Sequence, residues 1–323
     1  MNKFRVFVFV LLLISFKTFA CLNGDTKVLK NGVEVYYDEH EVIPIGHQFN
    51  VENFPKLIQD LEAQYKKTND IDYLSDKGYV LIISGKYQDA LKLYLEIERI
   101  KPNRYSTASN LGTLYELMGE NKKAYEWIKK SIEIDSKSHK GSEWLHLKIL
   151  EAKIKNLKEV SGEFLINTTF GLETNPKTKL SKEELEKLEK ALYYQLNERI
   201  TFIKPKDQIV AVLLFELGNI ALLTKDYLST SEIYQLSKTY GFQNELVNKR
   251  IVLCYEKWLN YYGNQNSELL MEKGGSFRLE GYQIDAVVIS LIIVSILFLL
   301  LLTCSFFLLK RFKKLKSSTI AAS

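Results

Sequence analysis

Residues 71–104 read IDYLSDKGYVLIISGKYQDALKLYLEIERIKPNR, and residues 105–138 read YSTASNLGTLYELMGENKKAYEWIKKSIEIDSKS. Small residues recur between the two stretches at an offset of 34 positions, in the pairs Gly78 and Gly112, Gly85 and Gly119, and Ala90 and Ala124. A small side chain lets two helices pack closely, and a glycine lets a helix end abruptly. The pattern therefore predicts two successive helical hairpins of equal length.

The other packing positions of both hairpins carry mostly apolar residues. In the first hairpin they are Leu74, Leu81, Tyr94, Ile97 and Pro102, and in the second they are Ala108, Leu111, Tyr115, Ile128 and Ile134, with Ser136 where a terminal proline is usual. Residues 71–104 and 105–138 thus resemble two consecutive tetratricopeptide repeats, in which Gly78, Ala90, Gly112 and Ala124 are the repeat-packing residues. The resemblance implies an α-solenoid whose stacked hairpins form a concave binding surface.

Helical periodicity extends on both sides of these repeats. We predict a repeat region at 53–160 with a degenerate third repeat from residue 139, and a further helical region at 181–262 that contains a diverged repeat over 211–241 and a last helix at 244–262. Glycine, asparagine and proline interrupt the pattern between the two regions, which predicts a loop at 161–180. Ser181 followed by Glu184 is a capping-box pattern and marks the start of the next helix.

A short β-hairpin is predicted ahead of the helices, within residues 21–52. Alternating apolar residues flank the pair Asn31 and Gly32, and both of these residues tolerate the positive φ of a tight hairpin turn. An isolated two-stranded ribbon over residues 26–37 is marginally stable, so it has to pack on other elements. We expect the irregular segment that follows it to lie against the first helices.

The first twenty residues have the pattern of a secretory signal peptide. A basic start is followed by an apolar run of about 16 Å as a helix, too short to span a bilayer, and by small residues before Cys21. Cys21 has two interpretations, a lipidated cysteine after lipoprotein-type cleavage or an ordinary N-terminal thiol. Residues 1–20 are therefore predicted to be a signal peptide.

The C-terminal part has the pattern of a membrane anchor. Residues 286–309 contain no charge, proline or glycine, and as a helix they reach about 36 Å. We predict a tether at 263–283, a transmembrane helix at 284–309 and a basic cytoplasmic tail at 310–323. Five cations follow the apolar segment and set its orientation by the positive-inside rule: Lys310, Arg311, Lys313, Lys314 and Lys316.

Taken together, these patterns predict an all-α fold class, a tetratricopeptide-like α-solenoid with a small β-hairpin and one transmembrane helix.

The net charge of +5 does not describe the predicted folded part. Of the 44 basic residues, five lie in the tail and three in the first twenty residues, which leaves 36 against 39 acidic residues. A folded body near −3 disfavours a nucleic-acid-binding face, because such faces need clustered cations to pair with phosphates. We expect no nucleic-acid partner.

Residue patterns typical of catalysis or metal binding are missing from the sequence. His139 and His146 could share a helix face, but no cysteine or acidic cluster completes a metal site around them. Cys254 lies among apolar residues, and the nucleophile, phosphate-loop and dinucleotide motifs do not occur. The sequence predicts a protein without catalytic residues, metal or cofactor.

The predicted function is protein binding in the concave groove. Some tetratricopeptide proteins hold a terminal carboxylate with five basic or amide residues, and at the corresponding positions only Asn110 and Lys140 fit. We expect four side chains to point into the groove, namely Tyr79, Asn110, Thr113 and Lys140. The resulting hypothesis is a single-pass scaffold of the inner membrane whose repeats face the periplasm or exoplasmic space. The alternative is an accessory or chaperone-like subunit of an envelope secretion, cofactor-maturation or biogenesis system.

Overall fold

The computed structural model describes residues 24–39, 42–224, 226–272, 276–279 and 282–285. The chain divides into two compact units, of which the first ends at Tyr255 and the second begins at Glu256. Helices dominate the described residues, as the sequence predicts. In chain order they are α1 (Phe54–Thr68), α2 (Ile71–Ile83), α3 (Tyr87–Ile100), α4 (Tyr105–Leu117), α5 (Asn121–Ile134), α6 (Glu143–Ile154), α7 (Gly162–Ile166), α8 (Lys182–Phe202), α9 (Gln208–Thr224), α10 (Tyr227–Tyr240) and α11 (Glu245–Glu272).

The two predicted repeats form helical hairpins, α2 with α3 and α4 with α5. Each hairpin turns at a glycine with positive φ, Gly85 at 76° and Gly119 at 81°. The N–H of Gly85 donates to the carbonyl of Ile82, and the N–H of Gly119 donates to that of Glu116, so both turns satisfy carbonyls at a helix end. These hairpins confirm the mostly helical, tetratricopeptide-like fold.

Small residues bring the two helices of each hairpin together. A Cβ atom on Gly78 would lie 2.6 Å from the Tyr94 ring, and one on Gly112 would lie 2.3 Å from the end of Ile128. Ala90 and Ala124 are fully buried in the same core, which extends over both hairpins. The four repeat-packing residues thus lie where the helices approach most closely.

A third hairpin of the same kind is formed by α9 and α10. A Cβ atom on Gly218 would lie 2.6 Å from the Tyr234 ring, which repeats the arrangement of Gly78 and Tyr94. The end of α8 and the beginning of α9 flank Pro205, and the capping box predicted at Ser181 and Glu184 begins α8. The second helical region therefore contains a glycine-packed hairpin like those of the first.

The predicted loop at 161–180 is wrong for its first residues, because Gly162–Ile166 forms α7. The Ser161 side chain accepts a hydrogen bond from the N–H of Phe164 and caps this short helix. Leu165 and Ile166 are buried in the core beside α8 and α9, which stabilises the helical turn. Local glycine and asparagine content did not reveal this burial.

Two predicted boundaries near the C-terminal end also differ from the structure. Helix α11 extends to Glu272 rather than ending at residue 262, because no proline interrupts residues 263–272 and the last five, Glu-Leu-Leu-Met-Glu, are good helix formers. In the second unit, β3 (Ser276–Leu279) pairs antiparallel with β4 (Tyr282–Asp285). Residues 284 and 285 are thus in a strand and not at the start of a helix.

The N-terminal β-hairpin consists of β1 (Gly24–Val28) and β2 (Glu34–Glu39), with Gly32 at a φ of 83° in its turn. The strands are antiparallel, and their register shifts between Lys27 and Val28. Buried Leu29 and Val35 pack in one cluster with residues of α1 and α2, among them Val80. This packing supplies the support that an isolated ribbon lacks.

Within the described residues, no helix combines the length and the apolarity that a membrane span requires. The apolar segment 286–309, the signal-peptide pattern 1–20, Cys21 and the basic tail 310–323 lie outside those residues. Their assignments stay predictions from the sequence.

Candidate functional site

The four side chains predicted to point into the groove line one cleft of about 490 Å³. Tyr79 comes from α2, Asn110 and Thr113 come from α4, and Lys140 comes from the turn that precedes α6. The helical spacing of α4 places residues 110 and 113 on the same face. The structure therefore brings together residues that lie up to 61 positions apart in the chain.

Elements that the sequence analysis did not assign to the groove form its remaining walls. The β-hairpin contributes Lys27 and Tyr36, and α8 contributes Tyr194, Glu198 and Phe202. The Lys27 ammonium lies 5.1 Å from the centre of the Tyr79 ring, within the range of a cation–π interaction. Aromatic faces and two lysines thus surround the cleft, which suits a ligand with both apolar and polar groups.

Asn110 has a packing role as well as a position in the cleft. Its Nδ2 atom donates to the Tyr94 hydroxyl at 2.8 Å, and that hydroxyl donates to the Ser75 carbonyl at 2.8 Å. Burial raises the pKa of Tyr94 far above its usual range, so the hydroxyl keeps its proton. The Asn110 side chain consequently links the cleft wall to the core of the first hairpin.

A strained turn at His139–Gly141 contributes His139 and Lys140 to the lining of the cleft. His139, Lys140 and Gly141 have φ values of 50°, 57° and 69°, and left-handed backbone is unfavourable for the first two. The His139 ring stacks on Tyr194 with 5.0 Å between ring centres, and it meets the edge of Tyr105 at 5.3 Å. These contacts compensate the strain and fix the imidazole in the cleft wall.

A second cavity of about 330 Å³ adjoins the cleft, and the two share Thr113, His139, Tyr194, Glu198 and Phe202. Its wall contains a buried charge cluster, which we define as Glu116, Glu143, His146, Lys153 and Arg199. The shortest bonds to Glu116 are 2.6 Å from His146 Nε2 and 2.7 Å from Lys153 Nζ, and Arg199 Nη2 lies at 3.5 Å. Glu143 contacts both His139 and His146.

The contacts within the charge cluster shift the pKa values of Glu116, Glu143 and His146 in favour of their ionised forms. Burial alone would raise the pKa of Glu116, but the charges of Arg199 and His146 lower it well below its usual range. Burial alone would lower the pKa of His146, but the Glu116 carboxylate raises it. Burial likewise acts against the ionisation of Glu143, whereas its bonds to the two histidines lower its pKa. Each buried charge therefore has an opposite partner.

Sequence reasoning missed this cluster, although one signal pointed to it. Glu116 follows Thr113 by three positions on α4, so both residues lie on the face that meets the cleft. The sequence raised His139 and His146 only as possible metal ligands. In the structure, the Glu143 carboxylate lies between the two imidazole rings and contacts both. In the described part of the chain, no group of three or more His, Cys, Asp or Glu side chains is arranged to hold a metal ion.

The fold and cleft define a tetratricopeptide-like helical-repeat protein. No protein-family model matches the chain, and the search of curated proteins gives no match. Similar solved structures include the MamA RS-1 ArsTM double mutant, at 13% identity and a TM-score of 0.32 over 58% of this chain and 84% of that chain. They also include a tetratricopeptide repeat protein from Parabacteroides merdae ATCC 43184, at 15% identity and a TM-score of 0.29 over 62% and 92%.

A further similar structure is the MamA protein, at 14% identity and a TM-score of 0.24 over 71% of this chain and 100% of that chain. These global similarities are low. The tetratricopeptide-like character of the fold therefore rests on the glycine-packed hairpins of α2 to α5 and on their 34-residue period.

Proposed function

We propose that this chain is a protein-interaction scaffold whose cleft binds a short segment of a partner protein. The observation that carries the proposal is the convergence of Tyr79, Asn110, Thr113 and Lys140 on a single cleft. Repeat proteins of this architecture bind partners on the concave side of the stack. The volume of about 490 Å³ falls in the range of ordinary ligand pockets, so it accommodates a few side chains rather than a folded domain.

The proposal includes a membrane anchor and an exoplasmic location for the repeats. Its support is the uncharged segment 286–309, the five cations after it and the signal-peptide pattern at 1–20. We place the scaffold in the inner membrane, with the repeats in the periplasm or an equivalent space.

We further propose that the protein acts by binding and not by catalysis. The support is the state of the acidic and basic groups of the adjoining cavity, since Glu116, Glu143 and His146 are already joined in ion pairs. A general acid or base needs a pKa near the working pH, whereas the pKa values of these carboxyls are lowered.

Site-specific photo-crosslinking in intact membranes tests the cleft. A photoreactive amino acid at Tyr79 or Thr113 of the full-length chain should give one discrete adduct with a partner protein. The same group at Lys182, an exposed residue at the start of α8, is the matched control and should not give that adduct. The same adduct from all three positions would contradict binding in the cleft. A heterogeneous set of adducts at Tyr79 and Thr113 would favour the accessory or chaperone-like alternative.

A further inference from the structure

Residues 42–50, which we call the strap, connect the β-hairpin to α8. At one end the N–H of Asn50 donates to the Val35 carbonyl on β2 at 2.8 Å. In the middle the N–H of Gly46 donates to Asn197 Oδ1 at 3.0 Å, and the N–H of His47 donates to Thr201 Oγ1 at 2.8 Å. This segment, predicted to lie against the first helices, also reaches α8.

His47 joins two walls of the cleft. Its ring stacks on Tyr36 of β2, with 4.1 Å between ring centres and an interplanar angle of 16°. Its Nε2 atom lies 3.1 Å from Glu198 Oε1 on α8. Tyr36 and Glu198 both line the cleft, so the position of His47 sets how far apart these two walls stand.

Gly46 allows the strap to approach α8 closely. Its φ is 81°, and a Cβ atom there would lie 2.9 Å from the Thr201 backbone nitrogen and 3.1 Å from the Ile200 carbonyl carbon. A backbone atom of a helix cannot move aside as a flexible side chain can. Any residue other than glycine at position 46 therefore has to lift the strap from α8.

The strap is attached to α8 by a small number of contacts. Its side chains Val42 and Ile45 are 41% and 52% exposed, whereas Pro44 is buried and Ile43 packs against the core that includes α8 and α9. Each backbone hydrogen bond from the strap to α8 contributes about 1 kcal/mol net. This is less than the burial of Leu29 and Val35 contributes to the attachment of the β-hairpin. Contacts of this strength allow the strap to detach while the hairpin stays packed.

We propose that the strap is a releasable clasp that fixes the width of the cleft. When it is attached, it ties β2 to α8 through His47. When it detaches, the cleft walls separate, because stacked helical hairpins contact mainly their neighbours and their curvature changes at low cost. A partner segment too large for the closed cleft then gains entry.

Hydrogen exchange and a distance measurement on the full-length chain test the clasp. Gly46→Ala should accelerate amide exchange at residues 46 and 47. In a background with the native cysteines replaced, it should also lengthen the spin-label distance between Gln88 on α3 and Lys190 on α8, both exposed positions. The matched control is Gly85→Ala, since Gly85 has a φ of 76° but nothing within 4 Å of a Cβ atom.

A milder variant covers the case in which Gly46→Ala fails to fold. Thr201→Val removes one acceptor and should accelerate exchange at His47 about fivefold, the equivalent of one hydrogen bond. Thr239→Val is its control, because that hydroxyl donates only within α10. The proposal would be overturned if amide exchange at residues 46 and 47 stayed unchanged in both Gly46→Ala and Thr201→Val. It would also be overturned if exchange became faster but the spin-label distance between residues 88 and 190 did not lengthen. Neither readout involves a partner, so this outcome leaves the proposed function untouched.

Discussion

Three glycines show how one residue sets the distance between two helices. In each case the glycine faces the residue sixteen positions later in the chain, in the pairs Gly78 and Tyr94, Gly112 and Ile128, and Gly218 and Tyr234. The neighbours differ in how freely they can move. The Tyr94 hydroxyl is bonded to Ser75 and Asn110, whereas the end of the Ile128 side chain is an apolar group that can adopt another rotamer.

We predict that Gly78→Ala destabilises the protein more than Gly112→Ala. The added methyl group meets a ring fixed at its hydroxyl in the first case; in the second it meets chiefly the aliphatic end of Ile128, with the Ile128 backbone nitrogen farther away at 3.3 Å. Overpacking of a rigid site costs about 1–3 kcal/mol. Thermal unfolding of the two full-length variants provides the comparison, and equal midpoints would contradict the role given to the Tyr94 hydrogen bonds.

Glu216 is a buried carboxyl on α9 with few compensating contacts. Its Oε2 atom accepts a hydrogen bond of 2.9 Å from Asn219, and its side chain lies against Gly162. Burial raises the pKa of Glu216 to about 7, although the Asn219 bond and the Arg250 charge act in the opposite direction. The folded protein therefore holds this proton at pH values at which the unfolded chain has lost it.

We predict that Glu216→Gln raises the unfolding temperature at pH 8 and leaves it nearly unchanged near pH 4.5. Because the pKa is higher in the folded state, Glu216 favours folding most below pH 4.5, and this contribution is lost as the pH rises towards 7. Between these two pH values, the contribution of Glu216 to the free energy of unfolding changes by about 3 kcal/mol. Unfolding of the full-length chain at both pH values measures it, with Glu232→Gln, an exposed residue of α10, as the control. An equal shift at both pH values would count against the assignment.

At the scale of elements, one arginine attaches the loop after α7 to α11. Arg250 is fully buried, and its Nη2 atom donates to the carbonyls of Gly171 and Glu173 at 2.9 Å each. Its Nη1 atom donates to Asn219 Oδ1. A residue on the last helix of the first unit thus anchors a loop about 77 positions earlier in the chain.

We predict that Arg250→Lys exposes this loop to protease. A lysine cannot donate to three separated acceptors with the same geometry, and each charge-assisted bond that is lost contributes about 1.5–3 kcal/mol. Trypsin cleavage after Lys177 and Lys179 should accelerate by roughly tenfold or more. Lys249→Ala, an exposed neighbour on α11, should leave the rate unchanged. Accelerated cleavage throughout the chain instead of in the loop would refute a local anchor.

At the scale of the whole molecule, the testable expectation concerns topology. A reporter that is active only in the cytoplasm should be active when fused after Ser323, because the cations behind segment 286–309 favour the cytoplasmic side. Replacement of Lys310, Arg311, Lys313, Lys314 and Lys316 by glutamine should reduce that activity. A reporter fused after Tyr240 is the control for the opposite side. An inactive fusion after Ser323 would refute the orientation.

The sequence by itself determined the repeat hairpins, because their signals are local. A glycine or alanine at a fixed offset, a capping box at Ser181 and an Asn31–Gly32 turn each depend on residues close in the chain. The same reasoning chose Tyr79, Asn110 and Thr113, since the period assigns each helix position to a face, whereas Lys140, also chosen as a helix residue, lies in the turn before α6. It failed for α7, where burial of Leu165 and Ile166 outweighed loop-like residues, and for the end of α11, where no proline stops the helix.

Only the tertiary structure decided what closes the cleft and what charges surround it. Tyr36, His47, Glu198 and Arg199 lie on elements far from α2 and α4 in sequence, and no local pattern marks them. Their positions follow from the packing of α8 and the strap, and the pKa values of Glu116 and His146 follow from burial beside one another. These contacts join residues that are close in space but far apart in sequence. A local sequence pattern does not reveal them, because electrostatic and packing energies depend on the separation between atoms and not on position in the chain.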